Sequence, residues 1–257
     1  MTRYLSWKRP DHEPGPATRL FCFPYAGGGA SAYRRWQRGL DAHEAGVRVM
    51  PVQLPGREGR INEPRFTDLD ALIDDMDAQL DDELGEPHIF YGHSMGALIA
   101  YSLARRRQQR GAALPRALVL SAYRAPHLPA PPIADPDAAD EELVAALVEL
   151  GGIPQALLDH PEFLSVLLPV ARDDLRLCIG SVAAHTEPLQ VPLHLFAGSG
   201  DRLVTVPEML SWRRHAGRGC EVRTMSGGHF FVKSDEDAFL RELASLTRRY
   251  ATERVAV

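Results

Sequence analysis

The chain has 257 residues, of which 45% are hydrophobic and 25% are charged. This average composition excludes a disordered or low-complexity protein and suits one globular domain with an insertion. The net charge of −5 gives no support for a nucleic-acid-binding protein, which normally carries a strongly basic surface.

No stretch approaches the ~18 consecutive apolar residues of a membrane-spanning helix, and the first ten residues contain no apolar core for a signal peptide. We therefore expect a cytoplasmic protein with no membrane contact. The cysteines, Cys22, Cys178 and Cys220, are widely spaced and form no CxxC pair. Free thiols are expected rather than disulfides or a zinc knuckle.

Short β-rich apolar runs alternate with longer helical patterns, which is typical of an α/β protein with a mostly parallel sheet covered by helices on both faces. Apolar residues at helical spacing predict a helix over residues 69–84, with an acidic outer face and an end at Gly85. A second helix is predicted over residues 95–110, ending at Gly111. The candidate strands are residues 19–23, 47–53, 88–91, 117–122, 193–197 and 221–225.

The last turns of the second helix contain four arginines, whose charge complements the negative end of the helix dipole. We therefore expect a solvated, dipole-matched helix end rather than a docking patch. The four residues are Arg105, Arg106, Arg107 and Arg110.

The alternation of strands and helices breaks after the fourth candidate strand. A proline-rich stretch over residues 126–136 leads to predicted helices near residues 140–150, 155–159 and 161–185. An insertion of this kind over the active edge of a sheet is expected to act as a lid. The predicted organisation is an α/β core of residues 1–122 and 192–257 with a helical lid at residues 123–191.

The segment Gly92-His93-Ser94-Met95-Gly96 matches GxSxG directly after an apolar strand and directly before a helix. A nucleophile at such a tight turn has a strained backbone, so the residues two positions to either side must lack bulk. The helix that follows directs its N–H groups and its positive dipole end toward the serine hydroxyl. Ser94 is therefore the candidate nucleophile, and a glycine turn without a catalytic role is the alternative.

A serine hydroxyl needs a base to take its proton and a third group to orient that base. On sheets with such an elbow the chain order is serine, acid, histidine. Asp201 follows the fifth strand in a turn of small residues, whereas the rival position after the fourth strand holds Tyr123 and Arg124. Asp201 is the candidate acid, and His229, in a glycine-rich loop after the last strand, is the candidate base.

The other histidines fit structural roles. His93 lies inside the elbow, where packing or hydrogen bonding is expected, and His215 falls within a helical segment. His127, His160 and His185 lie in the insertion without a metal-ligand spacing such as HExxH. We expect no bound metal.

An acyl-transfer site also needs N–H donors for the oxyanion that develops on the substrate. Met95, directly after the candidate nucleophile, would supply the first donor. The second is expected from the glycine-rich loop of residues 23–29, with Ala26 as the candidate and Tyr25 as the alternative.

Residues 27–32, which begin in this loop, satisfy GxGxxA after a strand, the pattern of a dinucleotide-binding fold. Such a site would require Asp or Glu at the end of the next strand, near Gln53, whereas the first acid there is Glu58. The missing acid disfavours nucleotide binding.

At these motifs the sequence resembles the type II thioesterases, stand-alone α/β-hydrolases associated with polyketide synthases and nonribosomal peptide synthetases. The resemblance covers nearly the whole chain. The elbow alone indicates a serine hydrolase, and the first loop with the Leu-Pro-Gly-Arg-Glu segment makes the family specific. The motifs are Phe23-Pro24-Tyr25-Ala26-Gly27-Gly28, Leu54-Pro55-Gly56-Arg57-Glu58 followed by Glu63-Pro64, Gly92-His93-Ser94-Met95-Gly96, Leu168-Pro169-Val170-Ala171-Arg172-Asp173-Asp174 and Gly227-Gly228-His229-Phe230-Phe231.

The resemblance implies an α/β-hydrolase fold with a mobile helical lid, in which Ser94 is the nucleophile, His229 the base and Asp201 its orienting acid. Such enzymes hydrolyse acyl groups from the phosphopantetheine arm of acyl or peptidyl carrier proteins, chiefly removing aberrant or stalled units. No cofactor is expected, because the substrate carries the phosphopantetheine. Leu175 stands where members often have an aromatic residue, which bears on the shape of the acyl chamber. We expect a monomer whose partner is a carrier protein.

Other functions share parts of this pattern. A carboxylester hydrolase or an acyltransferase on the same fold would carry the same triad, whereas a non-catalytic binding module would usually lack part of it. The sequence leaves open whether Arg57, Arg60 or the helix arginines contact an acidic carrier protein.

Overall fold

The computed structural model describes residues 3–5, 18–131, 133–153, 155–179 and 187–251. These residues form one six-stranded sheet in the order β2-β1-β3-β4-β5-β6, in which every neighbouring pair is parallel. The predicted α/β class and all six predicted strands are therefore confirmed. The strands are β1 (Thr18–Phe23), β2 (Val47–Pro51), β3 (His88–His93), β4 (Leu118–Ser121), β5 (Leu193–Gly198) and β6 (Cys220–Met225).

The predicted second strand extends two residues beyond the observed β2. Pro51 has no N–H to donate to a ladder, and β2 ends at this residue. Val52 still donates its N–H to the carbonyl of Cys22 in β1 at 3.0 Å, and it also forms an isolated antiparallel bridge with Leu5. The next residue, Gln53, donates instead to the carbonyl of Tyr4 at 2.8 Å.

Helices cover both faces of the sheet, because successive strand residues point to opposite sides. In β1, Phe21 and Phe23 pack on one side with α2, α3 and α6, whereas Leu20 and Cys22 pack on the other side with α1 and α8. Helices α4 and α5 form a separate small apolar cluster. The helices are α1 (Trp36–Ala42), α2 (Leu69–Leu80), α3 (Met95–Gln109), α4 (Asp140–Glu149), α5 (Pro161–Ile179), α6 (Val206–Leu210), α7 (Phe231–Ser234) and α8 (Glu236–Thr247).

The two long helices predicted in the first half of the chain are present. Helix α2 begins where the Asp68 carboxylate accepts the N–H of Ala71 at 2.8 Å, and it ends four residues earlier than predicted, before a short 3-10 turn over Glu83–Gly85. Helix α3 ends one residue before the predicted limit, and Gly111 follows with a φ of 69°. A positive φ suits glycine and terminates the helix as expected.

The insertion between β4 and β5 contains α4, a 3-10 turn over Gln155–Leu157 in place of the short predicted helix, and α5. Helix α5 reaches Ile179, and the remainder of the predicted span, residues 180–185 with His185, lies outside the described residues. Pro169 divides α5 into two halves, of which the second is the more buried. In the described part of the chain, none of the helices combines the length and apolar character needed to cross a bilayer.

The expectation of a solvated arginine end on α3 was wrong for Arg105 and Arg107. Both side chains are buried, because the acidic side of α2 and the segment before β5 pack against this end of the helix. Arg107, only 1% exposed, lies 2.8 Å from Asp77 and 3.0 Å from Asp81. Arg106 and Arg110 also pair with aspartates of α2 or of its C-terminal end. The arginines therefore hold α2 against α3 and are not a free docking patch.

Substituting Arg107 tests this packing. Arg107→Met removes one of the two arginines that pair with the buried Asp77 and leaves Arg110 as its remaining partner, so we expect it to lower the free energy of unfolding by about 1–3 kcal/mol. As a matched control, Arg241→Ala removes an exposed pair in which the arginine side chain is 62% exposed, and it should cost at most about 0.5 kcal/mol. Urea unfolding followed by circular dichroism measures both. Equal effects of the two variants would contradict a structural role for Arg107.

Candidate active site

The candidate nucleophile lies on a sharp turn between β3 and α3. Ser94 has φ 53° and ψ −125°, a conformation that is strained for a residue with a side chain. A Cβ at Gly92 would lie 2.0 Å from the carbonyl oxygen of Gly96, and one at Gly96 would lie 2.1 Å from that of Phe23. The expectation that both neighbours must lack bulk is therefore confirmed.

Three candidate residues, far apart in the sequence, meet at the carboxyl edge of the sheet. His229 Nε2 lies 3.0 Å from Ser94 Oγ, and His229 Nδ1 lies 2.9 Å from Asp201 Oδ2. All three side chains are buried. Because an ionised carboxylate can only accept hydrogen bonds, Nδ1 is assigned as the donor, which leaves Nε2 to accept the serine proton. The row is thus arranged for removal of the Ser94 proton.

Backbone contacts fix the acid and the histidine relative to each other. Asp201 Oδ1 accepts the N–H groups of Leu203 and Val204 at 2.9 and 3.0 Å, which holds the carboxylate in one orientation. The loops after β5 and β6 touch directly, since Gly200 N–H donates to the carbonyl of Gly227 at 2.8 Å. The small residues around Asp201 and His229 therefore allow these two loops to pack backbone against backbone.

His93 lies beside the row and packs near His229. Its Nδ1 lies 2.9 Å from Ser121 Oγ, and its ring centre lies 5.4 Å from that of His229. Burial lowers the pKa of His93 well below its ordinary value, and the neighbouring His229 lowers it further. His93 is therefore neutral at pH 7, which confirms the predicted packing and hydrogen-bonding role.

Other described histidines form contacts of their own, apart from the row of Ser94, His229 and Asp201. His127 Nδ1 lies 2.8 Å from His215 Nε2, a pairing that the sequence did not reveal because the two residues are 88 positions apart. His160 lies beside Glu162 at the surface. Among the described residues, no group of three or more histidine, cysteine, aspartate or glutamate side chains is placed to hold a metal ion. All three cysteines are free, as expected.

Two consecutive N–H groups of the glycine-rich loop donate to acceptors within the chain. Gly27 N–H donates to Asp174 Oδ2 at 2.7 Å, and Gly28 N–H donates to the carbonyl of Tyr25 at 2.8 Å. Just beyond the loop, Ser31 N–H donates to Glu58. Two carboxylates thus occupy amides that a dinucleotide site would direct at a pyrophosphate, which agrees with the sequence argument against such a site.

The two amides expected to bind an oxyanion are not occupied within the described residues, and neither is that of Tyr25, the alternative donor. In the described part of the chain, the N–H groups of Ala26 and Met95 have no hydrogen-bond acceptor. Ala26 lines the same cavity as Ser94, and Met95 is the first residue of α3. Tyr25, the alternative donor residue, places its ring against Phe230 at a centroid distance of 4.9 Å.

A cavity of about 270 Å³ opens above Ser94 between the core and the insertion. Its wall is mainly apolar, and the insertion between β4 and β5 contributes about half of it. Leu175 is buried in the apolar cluster between α4 and α5 and does not line the cavity. A leucine in place of an aromatic residue at this position therefore changes the packing of the two helices and not the cavity wall. The lining residues are Tyr25, Ala26, Gly27, Ser94, Ile133, Leu147, Leu150, Gly152, Ile153, Phe163, Leu167, Ala171, His229, Phe230 and Lys233.

Lys233 is the cationic residue of this wall. Its ammonium lies 4.1 Å from the ring centre of Phe230 and 4.4 Å from that of Tyr25. Burial lowers the pKa of Lys233 to about 8. The contact with Tyr25 was not predictable from local sequence patterns, because the two residues lie far apart in the chain.

The arginines of the Leu-Pro-Gly-Arg-Glu region are also engaged internally. Arg57 is buried and pairs with Asp174 at 2.6 Å, and Arg60 is buried and pairs with Glu63 at 2.7 Å. Neither guanidinium is exposed for contact with a carrier protein.

The family model described as "Thioesterase domain" matches residues 18–247 of the chain. The chain is 37% identical over 234 residues to linear gramicidin dehydrogenase LgrE of Brevibacillus parabrevis. The alignment covers 90% of this chain and 88% of LgrE. LgrE is named a dehydrogenase, which differs from the family of the matching model.

Two solved structures share the fold at similar identity. The RedJ thioesterase from the prodiginine pathway of Streptomyces coelicolor aligns with a TM-score of 0.84 and 35% identity, covering 93% of this chain and 95% of RedJ. The type II thioesterase BorB from the borrelidin biosynthetic cluster aligns with a TM-score of 0.80 and 32% identity, covering 95% and 97%. The chain therefore belongs to the thioesterase family, and it is a thioester hydrolase with the α/β-hydrolase fold.

Proposed function

We propose that this enzyme hydrolyses acyl groups from the phosphopantetheine arm of acyl or peptidyl carrier proteins and so removes aberrant or stalled units in a polyketide or nonribosomal peptide pathway. The observation that carries the proposal is the hydrogen-bonded row of Ser94, His229 and Asp201 at the floor of an apolar cavity. The names of RedJ and BorB, which place them in biosynthetic pathways, support the pathway context.

Acylation begins with transfer of the Ser94 proton to Nε2 of His229 as Ser94 Oγ attacks the thioester carbonyl carbon. Asp201 accepts a hydrogen bond from Nδ1 of His229 throughout, and its negative charge stabilises the imidazolium that forms. Because both Asp201 oxygens accept hydrogen bonds, the carboxylate has one orientation and so holds the imidazole ring in place.

The carbonyl oxygen becomes negatively charged in the tetrahedral intermediate. We assign its two donors to the N–H groups of Met95 and Ala26. The positive end of α3 adds to this stabilisation, because Met95 is at the N-terminus of a 15-residue helix. Neither amide must first break a bond within the described residues, so both are ready to bind the oxyanion.

Collapse of the intermediate breaks the carbon–sulfur bond and releases the phosphopantetheine thiol, which receives its proton from His229. Water then attacks the acyl-enzyme with His229 as the general base, and the free acid leaves with Ser94 regenerated. The reaction needs no cofactor of the enzyme's own, because the phosphopantetheine is covalently part of the substrate.

The insertion forms the chamber for the acyl group and acts as its lid. The second half of α5, after Pro169, is packed against the core and carries Asp174, which pairs with Arg57. The first half and α4 are more exposed, and they supply Leu147, Leu150 and Phe163 to the wall. We therefore assign movement of the lid to the part that precedes Pro169, where fewer buried contacts have to break.

Replacement of the nucleophile tests the mechanism. Ser94→Ala should lower the release of thiol from an acyl-phosphopantetheinyl carrier protein by at least about 10³-fold, because no other group in the row can attack the carbonyl. Ser102→Ala is the matched control, since Ser102 lies on the same helix and its hydroxyl has no hydrogen-bond partner within the described residues. This control should retain the wild-type rate.

The same assay separates the rival functions. Faster cleavage of a matched oxygen ester than of the thioester would indicate a carboxylester hydrolase, and conjugates formed with added amines or alcohols would indicate an acyltransferase. Dehydrogenase activity without thiol release, as the name of LgrE would suggest, would contradict the proposal. So would a Ser94→Ala variant that still releases thiol at the wild-type rate.

A larger side chain in the cavity tests the role of the lid wall. Leu150→Trp fills part of the chamber and should exclude about three methylene groups, each worth roughly 0.8 kcal/mol, so kcat/KM for a long acyl chain falls roughly thirtyfold or more. An acetyl substrate should be cleaved at nearly the wild-type rate. Val166→Trp, at a 56% exposed position of α5 outside the cavity, is the control. An equal loss for both chain lengths would contradict the chamber assignment.

A further inference from the structure

A carboxylate of the insertion holds the loop that carries Ala26. Asp174 lies in the second half of α5 and is only 1% exposed. Its Oδ2 accepts the N–H of Gly27 at 2.7 Å and Arg57 Nη1 at 2.6 Å, and its Oδ1 accepts Arg57 Nη2 at 2.7 Å. Arg57 Nη1 also donates to the carbonyl of Gly28 at 3.0 Å. The ion pair therefore binds the loop through a donor of one residue and an acceptor of the next.

Stability alone gives a weak reason for this arrangement. Two charges removed from water lose their hydration, and a well-packed pair of apolar side chains often stabilises a core equally well. What apolar side chains do not supply is direction. A bidentate arginine–carboxylate pair has a fixed plane, and the Asp174 oxygen that accepts Gly27 N–H therefore has a fixed position relative to the loop.

Neighbouring hydrogen bonds fix the part of the loop that follows Ala26. Gly28 N–H turns back to the carbonyl of Tyr25, and Ala30 N–H donates to Gln53 Oε1 at 3.1 Å. Gln53 in turn donates to the carbonyl of Arg57 at 3.2 Å. The loop is thus held by hydrogen bonds of the residues that follow Ala26, while the N–H of Ala26 itself has no acceptor among the described residues.

We propose that Arg57 and Asp174 are positioning residues that direct the Ala26 N–H toward the oxyanion formed at Ser94. Because Asp174 belongs to α5, the pair makes the oxyanion site complete only when the second half of this helix is packed on the core. This inference rests on the proposed function, since it assigns the support of a donor in that mechanism.

The test compares Asp174→Asn with Asp173→Asn. The first removes the charge that binds Gly27 N–H and Arg57, whereas the second removes the adjacent carboxylate, which pairs with Arg65 and Arg176 and does not touch the loop. With active sites counted by titration, Asp174→Asn should lower kcat for a soluble acyl thioester about 10- to 100-fold and change KM less than twofold. Asp173→Asn should keep the wild-type kcat.

A transition-state analogue gives a reading that a loss of folded protein would not produce. An alkyl boronic acid forms a tetrahedral adduct with the serine, and its affinity should fall in Asp174→Asn by about the same factor as kcat. Arg57→Lys keeps a buried positive charge beside Asp174 but lacks the fork, and we expect an intermediate kcat. This second variant decides the question if Asp174→Asn does not fold.

The proposal is overturned if both variants have the wild-type kcat per active site and bind the boronic acid unchanged. Such a result leaves the proposed function intact, because the wild-type enzyme measured alongside still cleaves the thioester. Failure of the wild-type enzyme to release thiol would instead contradict the proposed function itself.

Discussion

The position of Ser94 depends on a backbone turn that few sequences can form. The turn holds the serine at a positive φ and leaves no space for a Cβ at Gly92 or Gly96. Strand β3 and helix α3 are both buried around it, and their packing maintains the strained residue. This constraint directs the Ser94 hydroxyl into the cavity and sets its distance to His229. It also places the Met95 amide at the start of a helix.

The glycine-rich loop shows how one short pattern can serve two chemistries. In a dinucleotide-binding fold, the amides of such a loop bind a phosphate. Here the carboxylates of Asp174 and Glu58 accept amides of this region and leave that of Ala26 without an acceptor among the described residues. The two carboxylates come from distant parts of the chain. They accept N–H groups that would bind a phosphate in a dinucleotide-binding fold.

Local patterns in the sequence predicted the strands, the elbow and the three residues of the row, because each depends on neighbours within a few positions. Contacts between distant segments were not predictable in this way. The burial of Arg105 and Arg107 followed from the packing of α2 on α3, and the pair of Arg57 with Asp174 joins residues 117 positions apart. The pairing of His127 with His215 was missed for the same reason. Periodicity and motifs report on local conformation, whereas these contacts depend on how the elements pack.

The central claim is that hydrolysis passes through an acyl group bound to Ser94. Rapid quenching of the enzyme with an acyl-phosphopantetheinyl carrier protein, followed by peptide mass spectrometry, measures this intermediate directly. We predict that the acyl mass appears on the peptide containing Ser94 as an equal amount of carrier thiol is released, and that this acyl-enzyme then decays to the free acid. Thiol release with the acyl group on another residue, or with no covalent intermediate at any time point, would contradict it.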